Sequence, residues 1–326
     1  MRRWAAVVLL VLAATVAACG DDDGGGGGGS ADSGGGGKDY KMTLIAGVKG
    51  DEFYITMNCG AQEAAKKIGA TLEFQGPDQF DAAQQTPIVD AVAASSPDAI
   101  LIAPTDTKAL FAPITQAAAN SKIVLVDTTL EDPSMAVSQI ASDNVGGGVT
   151  AGETLLDLIG GKGKVMVVNV KPGISTTDQR GQGFEQAVKG KSGVEYLGQE
   201  YSQDDPAIAA QIVTSTLSKH PDLKGIFATN LFSAEGAASG LRQAGKLGDV
   251  KIVGFDAGPK QVKDLEDGLV QALIAQKPAE IGRLGVEQAF AALEGEPTKK
   301  EIGTGFEVIT KDNLSEMQDV LYKPSC

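Results

Sequence analysis

The chain has 326 residues, 42% of them hydrophobic, with 28 basic against 42 acidic side chains and a formal net charge of −14. So acidic a surface disfavours nucleic acid and anionic lipid head groups as partners. A single histidine, His220, lies in the polar stretch KHPDLKG, which leaves no histidine pair for a metal and no base for a serine triad.

In chain order, the first element is a leader. Met1, Arg2 and Arg3 give a positive start, and residues 5–18 form an apolar run too short to span a bilayer. The run closes on Val16, Ala17, Ala18 and Cys19, which resembles the lipobox of bacterial lipoproteins. That resemblance implies removal of residues 1–18, a diacylglyceryl group on Cys19 and an acylated new amino terminus, hence a membrane anchor that does not span. Residues 19–39 are then a tether, almost all Gly, Asp and Ser beyond the cysteine, with a reach of roughly 25 Å and no means of forming a core.

From Lys41 onward, short apolar runs alternate with longer amphipathic stretches. MTLIAGV, ATLEFQ, DAILIAP, KIVLVDT, KVMVVNV, GVEYLGQEY, GIFATN, VKIVGFD and VQALIAQ are predicted strands. Several are continuously apolar, as strands covered on both faces are. Helices are predicted over 56–69, 82–94, 108–119, 145–159, 206–219, 234–244 and 279–293. The alternation predicts parallel sheets with right-handed crossovers, and near Ser142 the series restarts. The fold class is therefore α/β with two Rossmann-like lobes, although a single barrel also alternates in this way.

Polar residues recur where predicted strands end: Asp127, Asn169, Asn230, Asp256 and Gln276. Ligands of open α/β sheets bind beyond the carboxyl ends of strands. Each residue singly also suits a local cap or turn; their recurrence points to a polar cup. Arg180 lies in STTDQRGQGF, where Thr176 and Gln179 have capping-box spacing. It has either an ion pair with Asp178 or Glu185, or a place in the cup. Phe53 and Tyr54 follow the first strand and offer either ring faces to a ligand or ordinary core. Carboxylates, amides, a guanidinium and aromatic rings suit a neutral, hydroxyl-rich molecule.

Signals for chemistry are weak. There is no G-x-S-x-G elbow, GKS at residues 190–192 lacks the earlier glycine of a phosphate loop, and RGQGFEQA has two of three dinucleotide-fingerprint glycines but follows no strand. A hydrolase using Asp127 and Asp256 as paired carboxylates is the one enzyme alternative. With Cys19 lipidated, Cys59 and Cys326 remain. Outside the cytoplasm they can form a disulfide, and spacing alone leaves both a bridge and two unpaired thiols open.

Between Lys41 and Thr310 the stretches CGAQEAAKKIGA, DAILIAPTD, IASDNVGGG, RGQGFEQAV, IVGFDAGP and LIAQKPAEIG together resemble the ribose-binding-protein-like group of type I periplasmic binding proteins of sugar ABC importers. The resemblance implies two lobes joined by three hinge strands. Crossings fall near Ser142, Gln276 and Thr310, so that residues 40–141 with 277–309 make one lobe and residues 142–276 with 310–326 the other. It implies ligand contacts at Phe53, Tyr54, Asp127, Arg180, Asn230, Asp256 and Gln276, and omits Asn169. Ribose binders of this kind carry Asn and Pro where Asp51 and Glu52 stand, Arg where Thr128 stands and an aromatic residue where Asp204 stands. Asp51, Thr128 and Asp204 are therefore further candidate contacts, and another pentose, a smaller sugar or an acyclic polyol is as well suited as ribose. The implied protein is a monomer without cofactor, metal or catalysis that delivers a small sugar or polyol to an ABC permease with its ATPase. A sensor for a receptor kinase or chemoreceptor would use the same domain. A transcription regulator would need a DNA-binding domain where the lipobox and tether stand.

Overall fold

The computed structural model describes residues 39–326; the expected leader, Cys19 and nearly all of the tether lie outside the described residues. The chain first lays down β1 (Lys41–Ile45), α1 (Glu52–Lys67), β2 (Thr71–Gln75), α2 (Ala82–Ser95), β3 (Ala99–Ile102), α3 (Phe111–Ala117), β4 (Lys122–Val126) and β5 (Ser138–Ser142). A second series follows: α4 (Asn144–Leu158), β6 (Gly163–Asn169), α5 (Ser175–Val188), β7 (Val194–Tyr201), α6 (Pro206–Lys219), β8 (Leu223–Ala228), α7 (Leu231–Gln243), β9 (Lys251–Phe255), α8 (Pro259–Glu266) and β10 (Ala272–Ala275). Last come α9 (Pro278–Glu294), β11 (Glu301–Thr304) and β12 (Glu307–Thr310).

Two separate six-stranded sheets result, with strand orders β11-β5-β4-β3-β1-β2 and β12-β10-β9-β8-β6-β7. The barrel alternative is thereby excluded. Every pairing in the first sheet is parallel, and in the second only β12 runs antiparallel, against β10. Strands β3 and β10, AILI and ALIA, are buried at every position because helices cover both sheet faces.

The chain passes between sheets three times: from β5 into α4, from β10 into α9, and from β11 to β12. The third passage lies between Thr304 and Glu307, upstream of the expected Thr310. The physical reason is that Glu307–Thr310 already pairs with β10, Ala275 opposite Glu307 and Ala272 opposite Thr310.

Most helices start on a side-chain cap. Asp51, Asp81, Asp143, Asp205 and Asn230 each accept a backbone N–H of the following first turn. The capping box expected of Thr176 and Gln179 does not form: α5 begins at Ser175 on Ile174, which has no capping side chain, so Thr176 is already inside the first turn. In the first lobe, α1 and α9 touch backbone to backbone. A Cβ on Gly60 would sit 2.0 Å from Ala279 O, and one on Gly282 2.0 Å from Met57 O, so only glycine permits the contact.

The tail departs from the expected boundary only at its end. Tyr322 N still donates to Ala257 O of the second lobe, but Lys323 N donates to Thr56 Oγ1 and Cys326 is bonded to Cys59, both on α1. Among the described residues, no helix is long and apolar enough to cross a membrane.

Candidate ligand-binding site

Between the lobes lies a small cavity whose walls come from both of them. The lobes are closed over it: Lys171 Nζ donates to Phe80 O at 2.8 Å, and Thr129 N donates to Ser175 Oγ at 3.0 Å. Walls come from both lobes, Asp51, Phe53, Tyr54 and Asp127 from the first, Arg180, Asp204, Asn230 and Asp256 from the second, with Gln276 at a crossing.

The first turn of α1 supplies three of these. Asp51 is the N-cap, its Oδ1 accepting from Phe53 N at 2.8 Å. Burial, reinforced by the negative charges of Asp256 and Asp204, raises its carboxyl well above the ordinary range. The Phe53 and Tyr54 rings meet edge to face at 5.1 Å, and Tyr54 Oη donates to Asp127 Oδ2 at 2.7 Å. Asp127, immediately after β4, has φ 63°, a left-handed conformation unusual for a side chain larger than glycine. Burial pushes its carboxyl up to about 6, against the opposing pull of the Arg180 charge and the Tyr54 hydrogen bond.

Asp256, immediately after β9, repeats the device with φ 79°. Three donors converge on it: Leu231 N at 3.0 Å, Gln276 Nε2 at 2.7 Å and Tyr322 Oη at 2.9 Å. Gln276 Oε1 in turn accepts from Ser142 Oγ at 2.8 Å, tying two interlobe crossings together. Asn230 caps α7 through Oδ1 and donates Nδ2 to Asp204 Oδ1 at 2.6 Å. Asp204 also has positive φ, 62°, and burial pushes its carboxyl up to about 7 despite that bond.

Arg180 is 3% exposed. Its Nε donates to Asn144 Oδ1 and its Nη1 to Thr229 O, both at 2.9 Å, while Cζ lies 3.9 Å from the centre of the Phe255 ring. The surface ion-pair alternative fails: Asp178 accepts from Gly173 N, and Glu185 binds Lys189. Its depth comes from the RGQG segment. A Cβ on Gly183 would lie 2.2 Å from Val145 O, and one on Gly148 2.1 Å from Arg180 O, so α4 and α5 pack backbone to backbone. Of the two glycines that imitate a dinucleotide fingerprint, Gly183 packs on α4 and Gly181 makes room for the Gln199 side chain of β7.

Two strand-end residues fall elsewhere. Thr128 does not line the cavity; its hydroxyl donates to Pro104 O at 2.8 Å and it borders a neighbouring hollow. Asn169 is fully buried behind the wall, bonded to Gln199, Val170 N and Thr229. Conversely, the cavity is lined by Phe80 and Thr177, which the sequence did not single out. Thr177 Oγ1 is buried without a hydrogen-bond partner among the described residues. Tyr322, behind Asp256, was equally unmarked.

Four carboxyl groups thus face one guanidinium across a closed cleft. No group of three or more His, Cys, Asp or Glu among the described residues is arranged to hold a metal ion. The arrangement is rich in acceptors and suits a ligand with many O–H donors.

Residues 42–297 match the family model described as periplasmic binding protein domain. The Escherichia coli ribose import binding protein is 32% identical over 271 residues, spanning 83% of this chain and 90% of that protein. A solved ABC transporter solute-binding protein from Agrobacterium vitis, bound to α-D-tagatopyranose, superposes with a TM-score of 0.86 at 44% identity, covering 87% of this chain and all of the other. A second Agrobacterium vitis solute-binding protein, with D-fucose bound, gives 0.82 at 31% identity over 86% of this chain and all of its own. With the matched model spanning both sheets and the cleft between them, the chain belongs to the family of periplasmic binding protein domains.

Proposed function

We propose that this protein is the extracytoplasmic sugar receptor of an ABC importer, capturing a neutral monosaccharide or sugar alcohol between its lobes without reacting with it. The observation that carries this reading is the closed cleft, walled from both lobes by Asp51, Asp127, Asp204 and Asp256 with one buried guanidinium. Carboxylate oxygens left over by the protein accept ligand hydroxyls, Arg180 keeps Nη2 free among the described residues to donate to a ring or hydroxyl oxygen, and the unpartnered Thr177 hydroxyl gains a bond. Phe53, Tyr54 and Phe80 supply apolar surface for C–H groups. The carboxylate excess works against sugar acids and sugar phosphates, whose charge would be buried beside like charge.

Only the closed form presents contacts from both lobes at once, so ligand shifts the lobes toward closure and the closed monomer docks on a permease driven by its ATPase. Lipid on Cys19 and the glycine-rich tether keep the receptor near that partner. The sugars borne by the related solute-binding proteins support a pentose or a hexose.

Isothermal titration tests the reading directly. Micromolar or tighter binding is expected for at least one of D-tagatose, D-ribose, D-allose, D-arabinose, D-fucose or their alditols, and none for D-glucuronate or ribose 5-phosphate. Silence across all the neutral compounds, or preference for an acid, overturns it.

A further inference from the structure

Each lobe places an aspartate with left-handed backbone at the end of an inner strand and holds it with a tyrosine hydroxyl, but the two tyrosines have different origins. Asp127 is held by Tyr54, from the first helix of its own lobe. Asp256 is held by Tyr322, only four residues from the carboxyl terminus.

Tyr322 is buried, and both its hydroxyl and its backbone N–H are hydrogen-bonded. Its hydroxyl donates to Asp256 Oδ1 at 2.9 Å and accepts from Gln276 N at 3.1 Å, while its own N donates to Ala257 O at 3.0 Å. Its ring meets Phe53 of the opposite lobe edge to face at 5.9 Å. One residue later the chain has reached that lobe, where Lys323 N donates to Thr56 Oγ1 at 2.7 Å. Lys323, Pro324, Ser325 and Cys326 are all exposed, so packing does not hold them. What holds the end is α1: the Thr56 bond and the disulfide to Cys59.

We propose that the carboxyl-terminal tail belongs to the binding machinery: Tyr322 is a positioning residue that fixes the Asp256 carboxylate and the backbone at Gln276, and the Cys59–Cys326 bond is the latch that keeps Tyr322 in place. This rests on the sugar-receptor reading above. The tail is then a fourth link between the lobes, closed covalently where the other three are continuous chain. Asp256 stays oriented by a group that belongs to neither β9 nor its neighbours, and loosening the latch frees that group without touching the cavity wall.

The test compares wild type, Tyr322→Phe, the paired change Cys59→Ala with Cys326→Ser, and all three changes combined. Phenylalanine keeps the ring packing, and the paired change leaves no lone thiol. Two quantities are read: affinity for D-tagatose, D-ribose, D-allose, D-arabinose and D-fucose, and amide hydrogen exchange at Gln276 in sugar-free protein. Tyr322→Phe is expected to weaken sugar binding about tenfold and to speed Gln276 exchange. The paired change moves both in the same direction by a smaller factor, and adds nothing once Tyr322 is Phe, because the latch acts only through the hydroxyl. Unchanged affinity and exchange in Tyr322→Phe overturn the positioning role. Unchanged values in the paired variant, or full additivity in the combined one, overturn the latch. If wild type binds none of the five sugars, the sugar reading has failed instead, and Gln276 exchange alone decides the tail.

Discussion

The ends of β4 and β9 pose the same structural problem and solve it differently. Asp127 N donates to Ile140 O of the next strand, and Asp256 N donates to Ile274 O of its next strand, so the two aspartates occupy matching places in the two sheets. Asp256 then receives three donors, whereas Asp127 receives one, from Tyr54, with Arg180 as a nearby charge. The first-lobe carboxylate keeps more lone pairs open toward the cleft, and burial raises its pKa; the second-lobe carboxylate is held by three donors and has less left to offer. A two-lobed receptor can thus give one lobe the fixed anchor and the other the adaptable acceptor.

The sharpest way to break this comparison is to make both aspartates asparagine, which tolerates the left-handed backbone. Asp256→Asn turns an amide toward three converging donors, and about 2 to 3 kcal/mol of stability should be lost in urea unfolding. Asp127→Asn can still accept from Tyr54 and should lose about 1 kcal/mol or less. Equal losses would show the asymmetry to be geometrical only. Next in size is Arg180→Ala, which leaves Asn144 Oδ1 and Thr229 O without their donor and should weaken sugar binding about tenfold to a hundredfold by titration calorimetry. Full affinity in that variant would mean the guanidinium only supports α4 and the sheet.

The smallest expected effect concerns protons. An unfolded aspartate titrates near 3.8, whereas Asp127 titrates at about 6 and Asp204 at about 7 in the closed protein. Between those values the folded protein holds protons that the unfolded chain has released. The contribution of both groups to stability therefore falls as pH rises from about 4 and levels out above 7. Asp204→Asn should accordingly show a smaller decline in melting temperature between pH 5 and pH 8 than wild type. An identical decline would remove Asp204 from the set of strained carboxyls.

Much of this was legible in the sequence for simple reasons. Buried parallel strands are continuously apolar, so β3, β4 and β10 announce themselves, and a polar residue ending such a run, as Asp127 and Asp256 do, marks the cleft edge. β5, β11 and β12 were not, because SQIAS, EIGT and EVIT mix polar and apolar positions in short strands beside the crossings. Phe80 sits in a loop without a periodic signal, and Thr177 is one hydroxyl among several in the first turn of α5. Tyr322 had no local mark at all, since its role arises from contact with Asp256, a residue 66 positions away in the chain.

The left-handed backbone at Asp127, Asp204 and Asp256 also limits how this receptor can change over time. Replacement by most other side chains, above all branched ones, would cost about 1 to 3 kcal/mol in backbone strain before any ligand contact is considered. Only aspartate, asparagine and glycine pass through those three positions cheaply. Drift toward a new solute must therefore run through residues on ordinary backbone, and Phe80 and Thr177, which cap no helix, are cavity positions where the wall can be redrawn without unfolding the frame that carries it.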